Sequence, residues 1–468
     1  MNSGGVARPR LLIGGVHSGV GKSTITLALV AALRRQGLTV QTFKVGPDYL
    51  DPGHLARVSG RPCYNLDSWM SDPDYLRDLF VKVSADADIS LVEGVMGLFD
   101  GSSSISLRGS SAEIAALLQI PVALVVNVHG MARSLAALVS GYQHFEPAVT
   151  LAGVIANRCG SPSHARLLGE ALAAAELPPL LGAIRRNGLP ELPSRHLGLV
   201  SALEQGGETP ELVEKLAAAA EADIDLNLLL ATAARAPLLP ALPAASGDRS
   251  GTAPVRLGVA WDEAFQFYYD DLFPALRARG CEPVLFSPLR EQTLPAHLDG
   301  LYLGGGYPEL HAAQLAENQE MLAAVRAFCA SGKPVYAECG GLIYLSRGVQ
   351  CEQNRFPLVG CLPVWTRLLE KRKALGYVTA TLAGDSLFGR AGASFRGHEF
   401  HYSELLESPI GRDGWQAVYQ LTQNRSGKVS AEGFQRGRIL ASYAHLQLAS
   451  QPAALDRWIA TMQGAPGQ

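Results

Sequence analysis

The strongest constraint on this chain lies near its start. Residues 15–23 read GVHSGVGKS, between an apolar run, Arg10–Gly14, and an Ala/Leu-rich stretch, Ser23–Gln36. A strand that turns through glycines directly into a helix leaves backbone N–H groups pointing into the turn, which is how a loop wraps a polyphosphate. Gly19 and Gly21 let the main chain approach the phosphates closely. Lys22 is placed to reach the outer phosphates and Ser23 to ligate Mg²⁺, with Val20 and Thr24 completing the candidate ATP-binding segment.

The rest of the first half repeats the alternation. Apolar runs at Val40–Lys44, Ile89–Glu93, Val122–Asn127 and Leu151–Asn157 are separated by helical patterns such as Ala112–Gln119. Strands alternating with helices predict crossover units and a parallel sheet, and continuous apolar strands predict that both its faces are covered. Residues 235–254, RAPLLPALPAASGDRSGTAP, break the pattern and read as a linker between a domain over 1–234 and another over 255–468. Beyond it, Val255–Trp261, Pro283–Phe286, Gly300–Leu303 and Pro334–Glu338 resume the parallel alternation, whereas Leu375–Leu382, Ala417–Leu421 and Ile439–Ala444 look antiparallel. With 468 residues there is ample chain for two cores.

A phosphate loop needs acids at neighbouring strand ends to hold its metal. Two segments supply them: KVGPDYLDP over 44–52, with Asp48 and Asp51, and EGVMGLFDG over 93–101, with Glu93 and Asp100. Glu93 follows its strand directly and is the first candidate ligand for Mg²⁺; Asp48 is the second. Asn157, after a further buried strand, is a candidate contact to the nucleotide base, or else a turn residue.

The second half carries a different chemistry. In KPVYAECGGLIYL, Cys339 sits between strand and helix with Ala337, Gly340 and Gly341 around it, a nucleophile-elbow pattern. A sulfur at a helix N-terminus is expected to have a lowered pKa. Gly304, Gly305 and Gly306, after another strand, are the candidate oxyanion and glutamine-binding loop. His445, in ILASYAHLQL, is the candidate general base. Together they suit hydrolysis of a side-chain amide. The position two residues after the histidine, where triad glutaminases carry an acid, is Gln447; Glu309, Glu338 and Glu399 are other acids in suitable segments. His398, Glu399 and His401 have metal-ligand spacing but are read as lining the glutaminase or the domain junction.

The two sites, in this order, resemble the cobyrinic acid a,c-diamide synthases over nearly the whole chain. GVHSGVGKS departs from the common G-x4-GK[ST] spacing and is similar to the loop of dethiobiotin-synthetase-like P-loop proteins. KVGPDYLDP, EGVMGLFDG, GGGYPE, AECGG, RGHEFHYS and SYAHL carry the rest of the likeness. The resemblance implies a P-loop parallel-sheet α/β domain followed by a flavodoxin-like class I glutaminase α/β domain. It implies ATP- and glutamine-dependent amidation of the a and c carboxylates of a corrin through an acyl phosphate. It also implies Asp48 and Glu93 near Mg²⁺, and Asp51 and Asp100 near the macrocycle. Asn127 stands where relatives are expected to carry an acid.

Two other readings stay open: a diamide synthase for hydrogenobyrinate or a sirohydrochlorin, and a regulatory P-loop ATPase with a vestigial glutaminase domain. The net charge of −3 gives no pull toward nucleic acid or an anionic membrane, and apolar stretches such as Ile120–Val126 are too short to span one. MNSGGVARPR runs straight into LLIGG, leaving no room for a signal peptide. Seven scattered cysteines without a CxxC pair fit a reducing cytoplasm. Monomer and homodimer both stay open.

Overall fold

The computed structural model describes residues 5–190, 194–195, 198–199, 209–242 and 254–464. The chain divides into two compact units, 1–245 and 246–468.

The first unit is built on seven parallel strands: β1 (Arg10–Gly15), β2 (Val40–Val45), β3 (Tyr64–Leu66), β4 (Ile89–Glu93), β5 (Val122–Asn127), β6 (Leu151–Cys159) and β7 (Leu180–Arg185). Their order across the sheet is β3-β2-β4-β1-β5-β6-β7. Alternate residues of β1 enter opposite cores: Leu11 and Ile13 join one, Leu12 the other. This is why the run is apolar throughout, as a strand covered on both faces must be. Between β1 and β2 runs α1 (Lys22–Arg35), which has no side-chain cap and starts instead from Gly21 at φ +105. Between β2 and β3 lies α2 (Leu50–Ser59). Strand register sets the site: Glu93 stands beside Lys44 on one neighbour and Ile13 on the other.

The opening of the segment read as a linker is packed onto this unit. The carbonyl of Pro237 accepts from Arg10 at 2.8 Å, and Leu239 is buried where it pairs with Val6. Residues 243–253 lie outside the described ones.

The second unit carries a ten-stranded sheet. Its parallel half comprises β8 (Val255–Ala260), β9 (Cys281–Phe286), β10 (Gly300–Leu303), β11 (Val335–Glu338) and the late strand β12 (Ile439–Ser442), in the order β9-β8-β10-β11-β12. From β12 onward the pairing is antiparallel, through 429–436, 416–423, 374–382 and 394–401 to a two-residue strand at His445–Leu446. Of the three segments expected to be antiparallel, Ile439–Ser442 turns out to be the switch: parallel to β11 on one side and antiparallel on the other. Two consequences matter for the site. Glu338 is level with Ser442, so the residues after β11 and β12 emerge at one edge. His398 is level with His445.

Among the described residues no helix is long and apolar enough to cross a membrane.

Candidate active site

In the first unit the phosphate loop is shaped by its glycines. Gly19 and Gly21 have φ of +77 and +105, a region that favours glycine. A methyl group on Gly15 would lie 2.7 Å from Val20 Cγ1. Lys22 points into the loop and donates to the carbonyls of Met96 at 2.5 Å and His17 at 3.4 Å. Burial, and then the neighbouring Lys44, pull its pKa down.

Ser23 Oγ donates to Glu93 Oε1 at 2.6 Å and lies 3.4 Å from Asp51 Oδ2. Asp51, expected toward the macrocycle, therefore belongs to the Ser23–Glu93 group. Asp48, expected there, stands one step back: its Oδ1 accepts the N–H groups of Leu50 and Asp51 at 2.8 and 3.2 Å and caps the first turn of α2. The physical reason is that α2 begins two residues after Asp48. The cap engages Oδ1 of that carboxylate, and the first turn of the helix carries Asp51 to Ser23 and Lys44.

Burial raises Glu93 to about 7 against the pull of Lys44, and raises Asp48 to about 6. Burial also pushes Asp51 upward, but Lys44 overrides it and holds that acid low. Glu93 Oε2 is buried with no hydrogen-bond partner, an orphan that a metal would satisfy. No three His, Cys, Asp or Glu side chains among the described residues form a metal cage. Mg²⁺ does not require one, since it takes one or two carboxylates and completes its shell with water and phosphate oxygens. The residues present fit it.

Asn157, the candidate base contact, is already tied to its neighbours by both ends of its amide. Its Nδ2 donates to the Val20 carbonyl at 2.8 Å and its Oδ1 accepts the N–H of Arg158, so it braces the phosphate loop. Asn127 Oδ1 accepts the N–H of His129. Asp100 is exposed, and its Oδ2 holds the N–H of Gly97 at 2.9 Å. Thr24 lies in the first turn of α1.

In the second unit Cys339 has φ +49, the strained conformation of a nucleophile elbow. The glycines after it are required by close packing. A methyl on Gly341 would come within 2.0 Å of the Leu303 carbonyl oxygen, and one on Gly340 within 3.0 Å of the Gly306 nitrogen. The donor loop and the elbow are thus pressed together. Gly304 is not a free donor: its N–H is held by the Tyr268 hydroxyl at 2.9 Å. The candidate oxyanion donors that remain in this loop are Gly305 and Gly306, beside Gly340 at the elbow itself.

The expected low thiol pKa is reversed. Cys339 is buried, and burial, with the Glu309 and Glu338 carboxylates, pushes its pKa well up. The helix after it, Gly340–Leu345, is only six residues long and does not offset them. A raised thiol pKa makes a nearby base the natural partner for this sulfur.

The candidate base, His445, meets an acid that does not stand two residues after it. His445 Nδ1 lies 3.1 Å from Glu338 Oε1, which also accepts the N–H of Leu446, while Tyr302 donates to Glu338 Oε2 at 2.5 Å. An Nδ1–H donated to Glu338 leaves Nε2 as the acceptor. Gln447 turns elsewhere, donating to Asp271 at 2.8 Å and accepting from Ala449. His398 stacks on His445 with centroids 4.9 Å apart and lies 3.1 Å from the Tyr269 hydroxyl; burial and His445 hold its pKa well down. His401 stacks on Tyr443 and reaches the Ser403 carbonyl at 2.7 Å. His398, read from the sequence as lining the glutaminase or the domain junction, stands beside His445; what the sequence did not show is that pairing. Its signal was the strand pattern of 394–401, which puts it opposite His445.

Residues 11–200 match a family model described as the CobQ/CobB/MinD/ParA nucleotide binding domain, and residues 256–453 one described as the CobB/CobQ-like glutamine amidotransferase domain. Fold and sites therefore define a glutamine amidotransferase fused to a nucleotide-binding domain. The chain is 53% identical over 457 residues to the cobyrinate a,c-diamide synthase of Syntrophotalea carbinolica, covering 97% of this chain and 99% of that protein. It is 42% identical to the protein of the same name from Leptospira interrogans serovar copenhageni (96% and 98% covered), and 41% identical to that of Dehalococcoides mccartyi strain CBDB1 (96% and 97%). The chain belongs to the cobyrinate a,c-diamide synthase family.

Proposed function

We propose that this enzyme amidates the a and c carboxylates of cobyrinic acid, one after the other, with ammonia from glutamine and one ATP per amide. The observation that carries the reading is that both sites are intact in a chain matching, nearly end to end, relatives named for that reaction. Residues 1–234 form the synthetase domain and 255–468 the glutaminase.

At the glutaminase, Cys339 attacks the side-chain amide carbon as His445 Nε2 takes the thiol proton. N–H groups of Gly305, Gly306 and Gly340 receive the oxyanion. The proton passes to the leaving nitrogen, ammonia departs, and water hydrolyses the thioester to glutamate. At the synthetase, the phosphate loop and Lys22 hold ATP while the corrin carboxylate attacks the γ-phosphorus. ADP leaves, and ammonia displaces phosphate from the acyl phosphate. Ser23, Asp51 and Glu93 would hold Mg²⁺, which neutralises charge on the phosphoryl group in transfer. Asp100, exposed beside the loop, faces the substrate side. The reaction is placed in the cytoplasm, where ATP and glutamine are supplied and the seven cysteines, all free here, stay reduced.

The test is a mass-spectrometric product assay with ATP, Mg²⁺ and glutamine on cobyrinic acid, its metal-free form and sirohydrochlorins. Two amides on cobyrinic acid are expected. Amides on a sirohydrochlorin alone would reassign the substrate, and ATP hydrolysis without any amide would return the chain to a regulatory ATPase.

Glu338 acts here as the positioning residue for His445. Glu338→Gln is expected to lower glutaminase kcat by about 10²–10⁴-fold, as loss of the third triad charge does in related chemistry. KM for glutamine and ammonia-driven synthesis should be little changed, with partial recovery in Glu338→Asp. An equal loss with ammonia would mean that Glu338 only supports the fold.

A further inference from the structure

Lys44 is the penultimate residue of β2 and stands level with Glu93 on β4. Its ammonium lies 2.5 Å from Asp51 Oδ2 and 2.6 Å from Glu93 Oε1, and its side chain is 4% exposed. Ser23 Oγ approaches the same two oxygens, at 3.4 and 2.6 Å. The oxygens assigned above to Mg²⁺ therefore converge on a point beside which a positive charge already sits. A magnesium ion binds its oxygens at about 2.0–2.1 Å. An ion on Asp51 Oδ2 and Glu93 Oε1 would lie against the ammonium, and in a buried setting two such cations repel strongly. The Lys44 ammonium satisfies only part of the group, because Glu93 Oε2 is left buried and unpartnered.

We propose that Lys44 is a built-in placeholder cation. In the nucleotide-free enzyme its ammonium occupies the divalent ion's place on Asp51 and Glu93, so the metal enters only together with the nucleotide. The logic is one of charge. Without a ligand, the Lys44 ammonium pairs with buried acids that would otherwise repel one another. A bare divalent ion must evict that ammonium from both carboxylates while bringing no counter-charge for it. The nucleotide complex brings several negative phosphate oxygens, which both complete the metal's shell and offer the displaced ammonium a new counter-charge. The flexible four-carbon stem of lysine permits that move. The device keeps a free metal ion from seating before the phosphates it must bridge. The proposal rests on the metal reading of Ser23, Asp51 and Glu93.

The test uses Mn²⁺, an oxygen-seeking ion of octahedral habit, with binding read from loss of the free-ion electron paramagnetic resonance signal. Full-length wild-type protein is expected to bind Mn²⁺ at this site with ATP and at least about tenfold more weakly without it, whereas Lys44→Gln binds without nucleotide at least about tenfold more tightly than wild type. Lys44→Arg, which keeps the charge, should behave as wild type. Wild type that binds Mn²⁺ equally well with and without ATP overturns the proposal, even if the glutamine variant does not fold. A folded Lys44→Gln with no gain also overturns it, while the metal reading stands on the ATP arm. If wild type with ATP binds no Mn²⁺ that Glu93→Gln removes, the metal reading fails and the placeholder with it.

Discussion

Cys339→Ala is expected to abolish glutamine-dependent amide formation, by about 10³-fold or more, while synthesis from ammonium salts continues. The size of the loss follows from the absence of any other nucleophile at the elbow. The survival of the ammonia route follows from the smallness of the change. Alanine has no atom beyond Cβ, so it fits wherever cysteine does and leaves the contacts of Gly340 and Gly341 with the donor loop intact. The sulfur's own contact in this structure is a long one, 3.8 Å to the Phe400 carbonyl. The measurement is product formation by mass spectrometry with each nitrogen source in turn. The ammonia-driven rate should rise with pH as the free base becomes more abundant. Loss of both routes would sink the assignment of Cys339 as a nucleophile that serves glutamine alone.

Lys22→Ala is expected to stop synthesis from either nitrogen source, by about 10²–10⁴-fold. Lys22 is almost wholly buried in the loop, and its ammonium now rests on main-chain carbonyls. Those are weak partners for a desolvated charge, which is why burial depresses its pKa; nucleotide phosphates are far better ones. Without the ammonium, the outer phosphates lose the charge that draws them into the loop, and carboxylate activation fails upstream of any ammonia. ADP release and amide formation should fall together. Ammonia-driven synthesis within about threefold of wild type would remove the loop from the mechanism.

What the sequence revealed, and what it hid, divides along chain distance. GVHSGVGKS and AECGG could be read because each is a strand, a turn and a helix start in one short string, and local geometry determines which residue types fit. Gly304–Gly306 was legible as a loop, yet not the loss of Gly304 as a donor, since Tyr268 lies far back in the chain. The partner of His445 is likewise separated from it by more than a hundred residues, and the two meet only because β11 and β12 are neighbours in the sheet. The acid was in plain view, immediately before the nucleophile, but nothing local says that its carboxylate turns toward His445. That Asp51, and not Asp48, meets Ser23 has a related reason. Helix α2 begins between them, and its capping need claims the first acid and aims the second. Depression of the Cys339 pKa was expected from a helix start alone, whereas the structure adds burial and two carboxylates.

The crowding at the elbow has an evolutionary corollary. Gly341 is held by the carbonyl of Leu303 and Gly340 by Pro308 and Gly306, contacts that concern the backbone and not the reaction. A descendant that drew ammonia from another source would be free to replace Cys339, whose side chain the fold does not need, but it would keep the two glycines to remain folded. In a lineage where the glutaminase has decayed, the glycines are therefore poor witnesses to activity, and the sulfur, with the acid before it, is the one to inspect.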